Sequence, residues 1–184
     1  MKFAIRFSVL LCVLPILAFA QTPAASFAKP GVITTVGQSA DGVIVKILLN
    51  QKLKMGLEYD TAIKAEALGD AKTLIMVVGA SSKGLGAAGI SMDQEIERTK
   101  ALLKAAKDKG IRIILAHTGG ESRRGGASNG LIDLVGASAD AIVVTQSGNK
   151  DGYFDRIAES RGIPLLKANN LTEAGAAIKS LFGE

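Results

Sequence analysis

Thr73-Leu74-Ile75-Met76-Val77-Val78-Gly79 runs into Ala80-Ser81-Ser82-Lys83-Gly84-Leu85-Gly86-Ala87-Ala88-Gly89-Ile90, and the fold turns on this stretch. Its first half is continuously apolar, the pattern of a strand buried on both faces. Its second half is small and polar and reads as a long glycine-rich loop at the strand's carboxyl end. Ser91 then opens an amphipathic helix reaching Lys109, with Met92, Ile96, Thr99, Leu103 and Ala106 on one face. Ser91 with Gln94 predicts a capping box and Gly110 a C-terminal stop. Strand, loop and helix together make one half of an α/β ligand-binding unit.

Upstream, Gly31 to Gly37 (GVITTVG) is a β-branched run and the first strand. Ser39 is read as an N-cap and Asp41 as a first-turn carboxylate of a helix carrying Val43, Ile44, Ile47 and Leu48. A short strand is expected around Met55 to Tyr59, then an alanine-rich helical connection over Thr61 to Gly69. Downstream, Arg112 to Ala116 is a fourth strand ending in His117-Thr118-Gly119-Gly120. A polar loop, Glu121 to Gly130, precedes a short helix near Leu131 to Val135. Ala141 to Thr145 is a fifth strand and Tyr153 to Arg161 a helix stopped by Gly162. Pro164 to Lys167 is an edge strand, and Asn170 with Glu173 caps a last helix bearing Ala174, Ile178 and Leu181.

Strands alternate with helices throughout, which predicts a three-layer, doubly wound α/β domain with a mostly parallel sheet. The expected order is flavodoxin-like, 2-1-3-4-5, with a sixth strand at the edge opposite strand two. Strands one and three then lie side by side at the topological switch point, where ligands bind in such sheets.

The amino terminus reads as a signal peptide. Lys2 and Arg6 give the charged start, Phe7 to Phe19 the apolar stretch, and Ala18-Phe19-Ala20 a small-x-small cleavage site. Cleavage after Ala20 would leave 164 of the 184 residues, with 21–30 a flexible leader and 31–184 a single domain. The expected location is periplasmic or secreted. Cys12 is the sole cysteine and leaves with the signal, so disulfides play no part. Loss of Lys2 and Arg6 lowers the formal net charge from +5 to +3, too weak a surplus to argue for nucleic acid.

Four segments give the chain a resemblance to an uncharacterised bacterial family of small secreted α/β domains, one classed as a domain of unknown function. They are Ile33 to Asp41, Val78 to Ile90, Gly119 to Gly125 (GGESRRG) and Ser147 to Gly152 (SGNKDG). The resemblance covers nearly all of the mature chain. It implies the fold and export, and no activity.

Several familiar motifs fail on inspection. Gly84-Leu85-Gly86-Ala87-Ala88-Gly89 spells G-x-G-x-x-G, but lies five residues past the strand end with its last glycine before the Ser91 cap, wrong for a dinucleotide. Gly79 to Gly84 has the spacing of a P-loop, yet Leu85-Gly86 replaces the required Lys-Ser/Thr. His117 is the only histidine, and with Ser81 or Ser82 it supplies the alternative of a small serine hydrolase or transferase. No G-x-S-x-G elbow accompanies it. Neither a metal site nor a cofactor is expected, since Ser147 and Ala158 stand where a calcium loop needs acids.

The remaining constellation is an anion pocket. Lys83, Arg123, Arg124 and Lys150 come from loops at one end of the expected sheet, joined by Gln38, Ser39, Ser81, Ser82, His117, Thr118, Ser147 and Asn149. Arginine pairs bidentately with carboxylate or phosphate, and glycine-rich backbone amides add positive potential. The expected partner is a small anionic molecule, and no catalytic residue is assigned. An accessory module contacting an envelope protein is the third alternative.

Overall fold

A computed structural model describes residues 27–184. The signal peptide, its cleavage site and leader residues 21–26 lie outside the described residues. Six parallel strands form one sheet in the order β2-β1-β3-β4-β5-β6: β1 Gly31–Val36, β2 Glu58–Tyr59, β3 Thr73–Val78, β4 Arg112–His117, β5 Ala141–Thr145 and β6 Leu165–Ala168. This is the flavodoxin-like arrangement. In β3 every residue is buried, and its side chains divide by strand alternation. Leu74, Met76 and Val78 join one core cluster, Ile75 and Val77 the other.

The helices settle on the two faces accordingly. Helix α1 (Asp41–Lys46), prolonged by a π-helical segment Ile47–Lys52, packs through Val45 and Leu49 with α6 (Leu171–Leu181) through Ala174 and Ile178. On the other face lie α3 (Met92–Lys109), α4 (Gly126–Gly136) and α5 (Tyr153–Arg161), with Leu102, Leu131, Ile132, Val135 and Phe154 in the core. The chain therefore leaves β1 for one face and β3 for the other while the two strands pair in register from Gly31↔Thr73 to Val36↔Val78. That divergence opens the crevice of the switch point.

Capping chemistry follows the sequence closely. The Ser91–Gln94 box is reciprocal, Gly110 and Gly162 end their helices in the left-handed region, and the Asn170 side chain accepts from Glu173 N. Five local expectations are corrected. The glycine-rich segment is not a plain loop: Ser82–Ala88 forms a helix, α2, whose N-cap is Ser81 accepting from Gly84 N. Ser39 does not cap α1. Ala40 holds that position without a side-chain bond, and the Ser39 hydroxyl instead donates to Asp41 Oδ2 at 2.9 Å. The short helix after the fourth strand starts at Gly126 rather than near Leu131. Strand β2 shrinks to two residues, and the alanine-rich connection is helical only as a 3-10 turn, Ala65–Leu68.

Candidate functional site

The switch-point crevice is built on close approach. Gly37 has φ +92°, and a Cβ there would strike Gly79 O and Ala80. Gln38 takes φ 56°, uncommon for a side-chain-bearing residue, and bridges antiparallel to Ala80. What holds it is a buried network from α3. Glu95 is fully buried and accepts from Gly37 N (2.7 Å), Gln38 Nε2 (3.2 Å) and both ends of the Arg98 guanidinium (2.8 and 2.9 Å). Arg98 in turn donates to the carbonyls of Thr35 and Ile63. The tip of β1 is thus fastened through one ion pair to the opposite layer.

Asp41 lies at the centre of the crevice. A Cβ on Gly79 would sit 3.3 Å from its Oδ2 and one on Gly119 2.7 Å away, so the carboxylate lies across the tips of β3 and β4. Its side chain is 12% exposed, and Arg123 Nε stands 3.6 Å from the same Oδ2. Ser39 occupies the other flank. Thr118 follows β4 directly, is 8% exposed, and its hydroxyl has no hydrogen-bond partner. Continued alternation along β4 places Thr118 with Ala116, on the α1 side of the sheet.

The four expected cations fare differently. Arg124 is spent: it makes a bidentate pair with Asp151 (3.1 and 3.2 Å), donates to Asn129 Oδ1 and Gly148 O, and lies over the Tyr153 ring at 4.4 Å. Lys150 pairs with Glu121 at 2.6 Å, both ends well exposed. Such a pair is weak and exchanges with solvent. Arg123 has only its long contact to Asp41, and its side chain makes no hydrogen bond among the described residues. Lys83 is exposed on α2 without an ion-pair partner among them. Ser82 is exposed beside it.

The neutral candidates are mostly occupied by the fold itself. Gln38 serves Glu95 and Thr61 O, Ser81 caps α2, and Asn149 accepts from Phe154 N and donates to Asp155. Ser147 faces a hollow of about 310 Å³ between the loops after β4 and β5, which Glu121, Arg124, Asn129, Lys150 and Asp151 also line. Arg124, Ser147 and Lys150 therefore gather here, one strand along from Ser39 and Arg123. A larger hollow, about 360 Å³, lies at the opposite end of the sheet beside Ile111, Arg112 and Asp140. Of its cations, Arg112 pairs with Asp140 at 2.7 Å, and Lys107 and Arg161 sit in the last turns of α3 and α5, where the helix dipole explains them.

His117 is fully buried against Phe154, with Nδ1 2.9 Å from Val78 O and Nε2 3.2 Å from Gly120 O. Both ring nitrogens face main-chain carbonyls, and neither Ser81 nor Ser82 is among its partners. Burial lowers its pKa below the ordinary 6.5, outweighing the carbonyl contacts that raise it. The folded state therefore holds the ring neutral while the unfolded chain protonates near the ordinary value. Stability linked to His117 is complete above about pH 6.5 and is lost as pH falls toward the depressed folded pKa. Urea titrations at pH 7 and pH 5 measure it. The wild type is expected to lose more stability over that interval than His117→Gln, and equal losses in both would remove the linkage.

Sequence reasoning missed Asp41 and Asp151 as partners of the predicted cations, and the buried pair of Glu95 with Arg98. Glu95 left a readable signal, since it lies three residues after Met92 and four before Thr99, inside the apolar stripe of α3. Neither a comparison with curated proteins nor one with solved structures gives a match. A family model does, over residues 28–182, from before β1 to the end of α6. The segments carrying the crevice all fall inside that span, and by it the chain belongs to the family described as a domain of unknown function, DUF6305.

Proposed function

We propose that the protein is an exported binding domain for a small ligand with an anionic group, received in the switch-point crevice. One observation carries this reading: Arg123 brings a guanidinium to the crevice and commits none of its N–H donors to hydrogen bonds among the described residues. Arg98 and Arg124, by contrast, are saturated by the fold. Lys83 adds a second uncommitted charge from α2. The hydrolase alternative gains nothing here, because His117 offers no free nitrogen to a serine. An envelope interaction module has one observation behind it, the exposure of Val43 and Ile44 on α1 and of Ile47 at the start of the π-helical segment. Three exposed aliphatic side chains are ordinary on a soluble domain, so the binding reading leads.

A thermal-shift panel of carboxylates, amino acids, phosphates, sulfonates and nucleotides tests the reading. A ligand at a hundred times its Kd stabilises by about 2.7 kcal/mol. Arg123→Ala is expected to weaken that ligand at least about tenfold, the loss of one charge-assisted hydrogen bond. Lys83→Ala should act in the same direction and more weakly, since its charge is solvated. Unfolding midpoints without ligand should move little in either variant. A panel without a hit, or a hit indifferent to Arg123, defeats the proposal. Export has its own test. Intact mass of the envelope fraction should correspond to a chain beginning at or near Gln21 without lipid, and a mass retaining residues 1–20 would refute it.

A further inference from the structure

We propose that the ligand of the crevice is a zwitterion, a free α-amino acid bound by its ammonium and carboxylate together, with Asp41 and Arg123 as the recognising pair; this rests on the binding reading above. The crevice does not hold positive charge alone. It also holds the Asp41 carboxylate, 12% exposed at its side chain, beside which Arg123 stands at 3.6 Å.

The pair is unlike the other ion pairs fastened into this fold. Glu95 and Arg98 share two contacts, at 2.8 and 2.9 Å, and Asp151 takes Arg124 in a bidentate grip. Asp41 and Arg123 share one long contact and no hydrogen bond. Asp41 Oδ2 is engaged by Ser39, and Oδ1 has no hydrogen-bond partner among the described residues. The carboxylate therefore keeps acceptor capacity and the guanidinium keeps all its donors.

An ammonium donates to Asp41, while a carboxylate one carbon away takes the fork of Arg123. A ligand that is only anionic leaves Asp41 facing a like charge, and a simple amine leaves Arg123 unmatched. A molecule carrying both signs at short separation satisfies both groups.

The probes are the standard L-amino acids, each set against its N-acetyl derivative and its decarboxylated amine, read by thermal shift and then by calorimetry on the purified protein. The expected result is one or more free amino acids that bind, with both matched derivatives at least tenfold weaker. Asp41→Asn, which keeps the side chain's shape, should weaken the free amino acid at least tenfold and leave the N-acetyl derivative unchanged or tighter. Its melting temperature without ligand shows whether it folds. Should it fail to fold, Arg123→Ala replaces it, with the free amino acid losing at least tenfold. An N-acetyl derivative binding as tightly as its parent overturns the zwitterion and leaves the anion reading standing. No response to any of these probes, alongside a positive anion panel, does the same. Silence in both panels removes both.

Discussion

Glu95→Ala is expected to destabilise the domain by about 3–5 kcal/mol, because it leaves the Arg98 guanidinium as an unpaired charge at the sheet's tip. Arg98 is 12% exposed at its side chain and has no second carboxylate within reach among its contacts. The loss extends beyond the pair, since Gly37 N and the Gln38 amide lose their acceptor at the same time. Replacing both residues with apolar side chains of similar volume should recover only the part due to the unpaired charge, because Gly37 N and the carbonyls of Thr35 and Ile63 still lack their partners. Urea unfolding of the single and double variants measures both quantities. A single-variant loss below about 1 kcal/mol, the scale of an exposed pair, would mean that the network does not hold the crevice in place.

The second large effect pairs two glycines of one helix. In α2 a Cβ on Gly84 would drive into the carbonyl oxygen of Gln38, whereas one on Gly86 meets nothing within 4 Å. Gln38 is fixed by its bridge to Ala80 and by Glu95, so the collision falls on backbone that cannot yield. Gly84→Ala should therefore cost about 3 kcal/mol or more, at the upper end of overpacking penalties. Gly86→Ala removes flexibility from the unfolded chain and should stabilise by roughly 0.4–1 kcal/mol. Thermal unfolding of the two variants gives shifts of opposite sign. Equal shifts would contradict the helix that occupies the glycine-rich segment.

That helix is where sequence reasoning fell short, and the cause is physical. Two glycines in Ser82–Ala88 argue against helix on propensity, yet Gly84 is required for the backbone just past β1, at Gln38, to pass beside it. Tertiary contact, invisible to local pattern, overrode the local preference. The sheet order and the layers were legible because β3 and β4 are so uniformly apolar that burial on two faces is their sole outcome. For the candidate site, the gathering of Gly- and Ser-rich segments at the carboxyl ends of the strands was readable. The electrostatics were not, because each cation's partner comes from a different segment: Asp41 for Arg123, Asp151 for Arg124 and Glu121 for Lys150. Charge read along the chain counts cations, and only the fold shows which are already matched.

The two margins of the sheet carry a consequence for how this molecule behaves in company. Strand β2 offers just two residues of backbone, with an exposed Glu58. Strand β6 offers four and carries Lys167, whose charge is held in place by Asp155 at 2.6 Å. A foreign strand seeking to extend the sheet finds too short a template on one side and a fixed charge on the other. Charged and abbreviated margins of this kind oppose edge-to-edge aggregation. The six-stranded sheet is thereby self-limiting, and concentrated solutions of the folded domain should stay free of cross-strand polymers.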